Sequence, residues 1–413
     1  MNVTEQARLG KEAWQHAILD GATRKAVLET AAELITEREA EIDRANREDI
    51  TRSAAEGMSL AMQDRLRLSS SRIADMAEGL REVAALPDPL GQIQKAWTLP
   101  NGLEIKRVSV PLGLVGIIYE SRPNVTIEAG SLIFKAGNAV ILRGGSAARR
   151  SNEILVEIMQ EALRRYGLDA ALIQLLDDPT REGSLALMRC HEYVDVLIPR
   201  GGKQLIAQVV EDASVPVIRT GEGNCHLYVD ETADPQMALA ILLNGKMQRP
   251  SVCNALETFL VHKKEAGSFL PMVAEAMGGK CELRICAEAS AILGSAYPRA
   301  TEEDYATEYN DYILTIKVVA GVDEAIEHIN RYGTGHSEAI VTEDLGRAER
   351  FLNAVDAAAV YLNASTRFTD GAQFGFGGEL GISTQKLHAR GPMGLEALVS
   401  YKYKIYGDGQ IRA

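Results

Sequence analysis

One cysteine, Cys253, stands in the stretch GKMQRPSVCNALETFLV, residues 245–261, between a basic, proline-containing approach and an apolar run that reads as a strand. Two roles suit such a thiol. With Val252 before it and Ala255 two residues on, in an intracellular chain, it packs as a small buried hydrophobe. The alternative is a nucleophile, and the neighbouring residues do not decide between them. A second set of candidates lies in three glycine-containing strand ends: LRGGSAARRSN (142–152), IPRGGKQL (198–205) and RTGEGN (219–224). Glycine at a strand-to-helix turn lets backbone N–H groups approach a phosphate at a helix N-terminus. Arg143, Arg149, Arg150, Arg200 and Lys203 lie alongside. Glycine is also the ordinary residue of such turns, so each alone is weak, while three together, two of them basic, point to an anionic nucleotide. The chain has no G-x-G-x-x-G and no P-loop.

The remaining cysteines, Cys190, Cys225, Cys281 and Cys286, make an odd total of five with Cys253 and suggest no disulfide framework, which predicts a reducing compartment. Cys281 and Cys286, in CELRIC, lack a nearby His pair, so two half-buried strand cysteines suit them better than a zinc site, and no metal is expected. The net charge of −13, from 57 acidic and 44 basic residues, argues against a nucleic-acid partner, which needs a basic face. An anionic substrate must then be received by local Arg, Lys or backbone N–H groups. The opening MNVTEQARLGKEAWQ has no apolar signal core and no apolar run approaches the length of a membrane span, so a cytoplasmic chain without a membrane partner is expected.

These groups must be positioned by an α/β framework. At 413 residues the chain predicts two large domains. Residues 4–86 have apolar positions at helical spacing, and LPDPLG, near residue 90, breaks that pattern. From about 103 the period changes. LEIKRVSVPLGLVGIIYE reads as strand, turn, strand, and apolar runs at NAVILRG, LIQLL, VDVLIPRG, VPVIRTG and CHLYVD alternate with amphipathic helices. That is the pattern of a parallel sheet covered on both faces. A second series opens near 230: helix 234–247, strand ETFLVH, helix 264–277, strand CELRIC, strand YILTIKVV, helix 322–331, strand SEAIVT, helix 343–355 and strand AAVYLN. The expected division is 1–229, with an oligomerisation hairpin near 100–112, then 230–370 carrying Cys253, then 371–413. The tail ALVSYKYKIYG alternates apolar and polar residues, as a strand reaching a partner subunit would.

PLGLVGIIYESRPNVTIEAGSLIFKAGNAVILRGGSAA resembles the cofactor-domain segment of the aldehyde dehydrogenase superfamily, and QRPSVCNALETFLV falls where that superfamily has its nucleophilic cysteine. YESRPNVT, MQRPSVCNALET, YGTGHSEAI and FGFGGELGIS, in order along nearly the whole chain, resemble the gamma-glutamyl phosphate reductase family within it. The resemblance implies an aldehyde dehydrogenase-like α/β fold: two parallel-sheet domains with a small oligomerisation strand region, a homo-oligomer. It implies NADPH-dependent reduction of L-glutamyl 5-phosphate to the semialdehyde and phosphate, through a thioester on Cys253, as the second step of proline biosynthesis, with glutamate kinase as a possible partner.

Residue by residue, the resemblance makes Asn124 an oxyanion donor, its alternative being a turn or N-cap residue. Arg143 would face the adenosine ribose and favour NADP(H). Gly144, Gly145 and Ser146 would border the cofactor with Arg200, Gly201 and Gly202. Glu308 matches the residue holding the nicotinamide ribose, or is a solvated loop residue. Arg122, Arg249 and Arg367 are candidate receivers of substrate anions, and His336 is structural or touches substrate. Hydrolytic relatives carry a water-activating Glu where IRTGEGN places Arg219, with Glu222 nearby, which disfavours the alternative of a hydrolytic semialdehyde dehydrogenase. A catalytically silent relative is the other alternative, and the joint presence of Cys253, Asn124 and Arg143 argues against it.

Overall fold

The computed structural model describes residues 1–412, which fall into two compact units: 1–219 with 376–381 and the segment from Met393 on, and 220–375 with 382–392.

The first unit opens with α1 (Val3–His16), α2 (Gly21–Glu37), α3 (Glu39–Ala55), α4 (Leu60–Leu66) and α5 (Ser70–Ala85), the helices that the spacing over 4–86 predicts. Asn2, Asp20, Ser59 and Ser69 cap four of them by accepting a first-turn N–H. After the LPDPLG break come the hairpin strands β1 (Ile93–Thr98) and β2 (Glu104–Pro111). The parallel core follows: β3 (Leu114–Tyr119), α6 (Asn124–Lys135), β4 (Ala139–Arg143), α7 (Arg149–Arg165), β5 (Ile173–Leu175), α8 (Arg181–Arg189), β6 (Val196–Arg200) and α9 (Lys203–Asp212). The strand order is β5-β4-β3-β6. Every residue of β3 is buried, as a strand covered on both faces requires. From β3 the chain steps outward to β4 and β5, then returns to the other side of β3 for β6. That reversal makes a crevice outside the carboxyl ends of β3 and β6.

VPVIRTG is not a full strand: Val217 makes a single bridge to Leu197, because Pro216 has no N–H to extend a ladder. The hairpin begins at Ile93 instead of near residue 100, since β1 is almost wholly exposed and carries no burial pattern to read. The C-terminal strand Val399–Tyr406 pairs antiparallel with β2, Val399 opposite Pro111 and Tyr406 opposite Glu104, giving a three-stranded sheet with β2 in the middle.

The second unit contains β7 (Cys225–Val229), α10 (Pro235–Met247), β8 (Leu256–His262), α11 (Ala266–Met277), β9 (Glu282–Ile285), α12 (Ala287–Leu293) and α13 (Glu302–Tyr305). It continues with β10 (Ile313–Val319), α14 (Val322–Tyr332), β11 (Ser337–Val341), α15 (Leu345–Ala354) and β12 (Ala359–Leu362). The parallel order is β12-β11-β7-β8-β10-β9. CHLYVD therefore does not close the first series. As β7 it lies between β11 and β8, and the division falls at 219/220, not at 229/230. Alternating runs identify strands but not the sheet each one joins. From the expected tail, Ile382–Ser383 pairs with Gly391–Pro392 inside the second unit.

Side chains alternate across this sheet with period two. Leu227, Phe259, Ala339 and Ile316 pack under α10 and α11, while Tyr228, Leu260 and Ile340 pack on the other face with Ile329 and Phe351. Phe259 is fully buried, its ring 5.8 Å from that of Phe269. Phe259→Ala should cost about 3–5 kcal/mol, read as a lower urea midpoint for the transition that unfolds this unit.

Candidate active site

Cys253 lies in the loop that joins α10 to β8, at the amino end of β8. It is half-buried, whereas Cys190, Cys225, Cys281 and Cys286 are buried. Backbone contacts hold it from both sides. The Cys225 thiol donates to the Cys253 carbonyl at 3.2 Å. A Cβ on Gly223 would come within 1.4 Å of that same carbonyl oxygen, so only glycine permits this approach. On the other side, the buried Asn254 amide donates to the carbonyls of Thr369 (2.9 Å) and Arg367 (3.3 Å), and the Thr366 hydroxyl donates to Asn254 O at 2.8 Å. None of these supports was singled out from sequence, although Gly223 belongs to RTGEGN and Asn254 directly follows the cysteine.

The second unit carries two of the expected guanidiniums, and one of them feels this thiol. Arg249 is exposed on the approach, and the half-buried Arg367 donates from Nε to Gln248 Oε1 at 3.2 Å. Burial, followed by the like charge of Arg249, lowers the Arg367 pKa, while Cys253 pulls it the other way, so Arg367 lies within electrostatic reach of both. Arg122 belongs to the first unit, where it feels Arg65 and Arg200 and the carboxylates of Glu120 and Glu128. Glu308 is not a solvated loop residue: it is half-buried, and its Oε1 accepts the Gly223 N–H at 2.9 Å.

His336 is fully buried, its Nδ1 2.8 Å from Ser337 Oγ and 3.7 Å from Cys225 Sγ. Of its two expected roles this placement selects the structural one. Burial pushes its pKa down to about 4, so the imidazole is neutral. Beside it on the sheet, His226 and Glu338 form a wholly buried pair at 3.0 Å.

In the first unit, Arg143, Gly144, Gly145 and Ser146 occupy the carboxyl end of β4, and Arg200, Gly201 and Gly202 that of β6. Arg143 Nη2 donates to Pro179 O at 3.1 Å, while its Nε is buried without a partner. A Cβ on Gly144 would strike Asn152 at 2.2 Å and the Tyr119 ring at 2.9 Å, and one on Gly201 would meet the Glu120 carboxyl carbon at 2.8 Å. Gly202, the N-cap of α9, donates its N–H to Glu120 Oε1 at 3.0 Å. Asn124 is not an N-cap. It is the first residue of α6, behind Pro123, and its amide donates to Glu128 Oε1 at 2.7 Å.

The aldehyde dehydrogenase family profile matches residues 2–282 and 306–403. An acetylating aldehyde dehydrogenase from Geobacillus thermoglucosidasius shares the fold, with TM-score 0.68 at 17% identity over 100% of this chain and 97% of that one. Nearer relatives are gamma-glutamyl phosphate reductases. That of Enterococcus faecalis is 54% identical over the full length of both chains, and that of Moorella thermoacetica 57% identical over 94% of this chain and 93% of its own. The crystal structure of the enzyme from Thermotoga maritima superposes with TM-score 0.97 at 45% identity over the full length of both chains. The chain belongs to the aldehyde dehydrogenase family and, inside it, to the group that these gamma-glutamyl phosphate reductases make up. The family implies a nicotinamide cofactor and a small-molecule substrate. The glycine-lined ends of β4 and β6 and the unpartnered Arg143 Nε are a fitting place for such a dinucleotide. Among the described residues no helix is long and apolar enough to cross a membrane.

The buried histidine sets a pH dependence. His336 titrates near 6.5 when unfolded and near 4 when folded, so the unfolded chain takes up the proton first. Its stability contribution is complete above about 6.5 and declines as pH falls toward about 4. Because raised carboxyls such as Glu257 act with the opposite sign, the check is a difference: in paired thermal melts the stability advantage of the parent over His336→Gln should shrink as pH falls between these limits.

Proposed function

We propose that the protein reduces L-glutamyl 5-phosphate to L-glutamate 5-semialdehyde and inorganic phosphate, the second step of proline biosynthesis from glutamate, in the cytoplasm. The observation that carries this reading is the half-buried Cys253, backbone-pinned and within electrostatic reach of Arg367, in a chain more than half identical to reductases of that name.

The Cys253 thiolate attacks the acyl carbon and phosphate leaves, conserving the acyl group as a thioester. Thiolate chemistry suits the task because sulfur is strongly nucleophilic near neutral pH. The cofactor supplies the hydride that brings the acyl carbon to the aldehyde level. Collapse of the resulting thiohemiacetal oxyanion expels the Cys253 thiolate and frees the aldehyde. Arg249 and Arg367 receive the anionic ends of the substrate, and Arg122 is the third candidate for that role. Asn124 is the proposed oxyanion donor, which requires its amide to leave Glu128. Arg219 in place of a water-activating carboxylate protects the thioester from hydrolysis. Glu308 holds the nicotinamide ribose, and Gly144, Gly145, Ser146, Arg200, Gly201 and Gly202 border the dinucleotide.

NADP(H) is the proposed cofactor, with Arg143 as the cation for a 2′-phosphate. A homo-oligomer is proposed through the open three-stranded sheet, whose C-terminal strand exposes Tyr401, Tyr403, Ile405 and Tyr406. The lability of an acyl phosphate makes the glutamate kinase that forms it the natural partner.

Run backwards with glutamate 5-semialdehyde and NADP⁺, the protein should form reduced nicotinamide only when inorganic phosphate is present, and Cys253→Ala should abolish this. Turnover without phosphate would replace this reading with the hydrolytic one. Arg143→Ala should weaken NADP(H) binding about tenfold or more while changing NAD(H) binding little, measured by fluorescence titration.

A further inference from the structure

Two charged side chains without a part in the reaction above lie beneath the cysteine loop. Lys246 is in the last turn of α10 and Glu257 is the second residue of β8. Both are completely buried, with Nζ 2.6 Å from Oε2. The segment between them carries Gln248, Arg249, Cys253 and Asn254. Burying an ion pair gives little stability over well-packed apolar side chains, because desolvation offsets the attraction. The pair therefore needs a reason other than folding.

Its connections supply one. The second carboxylate oxygen of Glu257, Oε1, accepts the backbone N–H of Asn310 at 3.1 Å. Asn310 holds a left-handed conformation, φ 55°, two residues after Glu308. Glu308 accepts the N–H of Gly223, and Gly223 lies against the carbonyl of Cys253. These contacts form a closed circuit from the cysteine loop through Gly223, Glu308, Asn310 and Glu257 to Lys246 and back into α10.

We propose that Glu257 is a positioning residue for Cys253, with Lys246 as its counter-ion. The pair closes the cysteine loop at its base and ties it to the Glu308–Asn310 segment, so that the nucleophile and the proposed ribose-holding residue stay in register. This rests on the reading of Cys253 as nucleophile. Burial pushes the Glu257 pKa up to about 7, with Lys246 pulling it down. Besides Lys246, Glu308 from the segment before β10 acts on Glu257, and the pair in turn acts on the buried Cys281 before β9, which also feels Glu282 and Asp311.

The test compares the parent protein with Lys246→Met/Glu257→Gln, which leaves no unpaired buried charge. Cys253 alkylation by iodoacetamide is followed by peptide mass spectrometry across pH, beside nucleotide affinity by fluorescence titration and steady-state kinetics. A folded double variant with near-parental nucleotide affinity should alkylate at a rate changed about tenfold, lose the component of the pH profile near neutrality, and show kcat lowered about tenfold or more with little change in KM for the nucleotide. Alkylation and kcat within about twofold of the parent would overturn the proposal. A double variant without a folding transition would also overturn it, by assigning the pair to the fold at large. Activity retained in Cys253→Ala would instead remove the nucleophile reading on which the proposal stands, whatever the double variant does.

Discussion

The second unit is organised around a backbone approach that admits no side chain. Gly223, leading into β7, sits against the carbonyl of Cys253, leading into β8, closer than any Cβ would allow. The Cys225 thiol donates to that same carbonyl, and Asn254 is bonded to the carbonyls of Arg367 and Thr369. A cysteine whose backbone is held in this way does not depend on side-chain packing for its place. The loop would not hold this path if β7 and β8 were not adjacent in the sheet.

The two units place their candidate groups at different ends of their strands. In the first, Arg143 and Arg200 terminate β4 and β6, and the reversal of strand order beside β3 puts them where open α/β sheets bind ligands. In the second, Cys253 and Gly223 precede their strands, at the amino ends. The first arrangement follows from general rules of α/β topology. The second does not, and it rests on the particular contacts of the cysteine loop.

Charge is handled locally. A chain of net charge −13 repels an acyl phosphate at long range, yet Arg367 feels both the Cys253 thiol and the neighbouring Arg249, and Arg143 keeps a buried nitrogen without a partner. Most other arginines are already engaged: Arg347 pairs with Asp230, Arg284 with Asp304, and Arg24 with Asp88. Cations left out of such pairs are the ones that a ligand can use.

The sequence alone determined the element types and the candidate nucleophile. Helical spacing over 4–86, the run of parallel strands and the motifs around Cys253 are local properties, and the helices, strands and loop appear where those patterns lie. Hydrophobic periodicity reports which face of an element is buried, not which neighbour buries it. For that reason periodicity assigns β7 to the first series, gives no sign of the exposed β1, and leaves Asn124 a cap candidate although its partner is Glu128. Lys246 and Glu257 read as ordinary charged residues of a helix end and a strand start, since nothing along the chain marks them as partners. Only the tertiary structure decided that they share a dry interior, because burial and pairing depend on groups that sequence separation does not bring together.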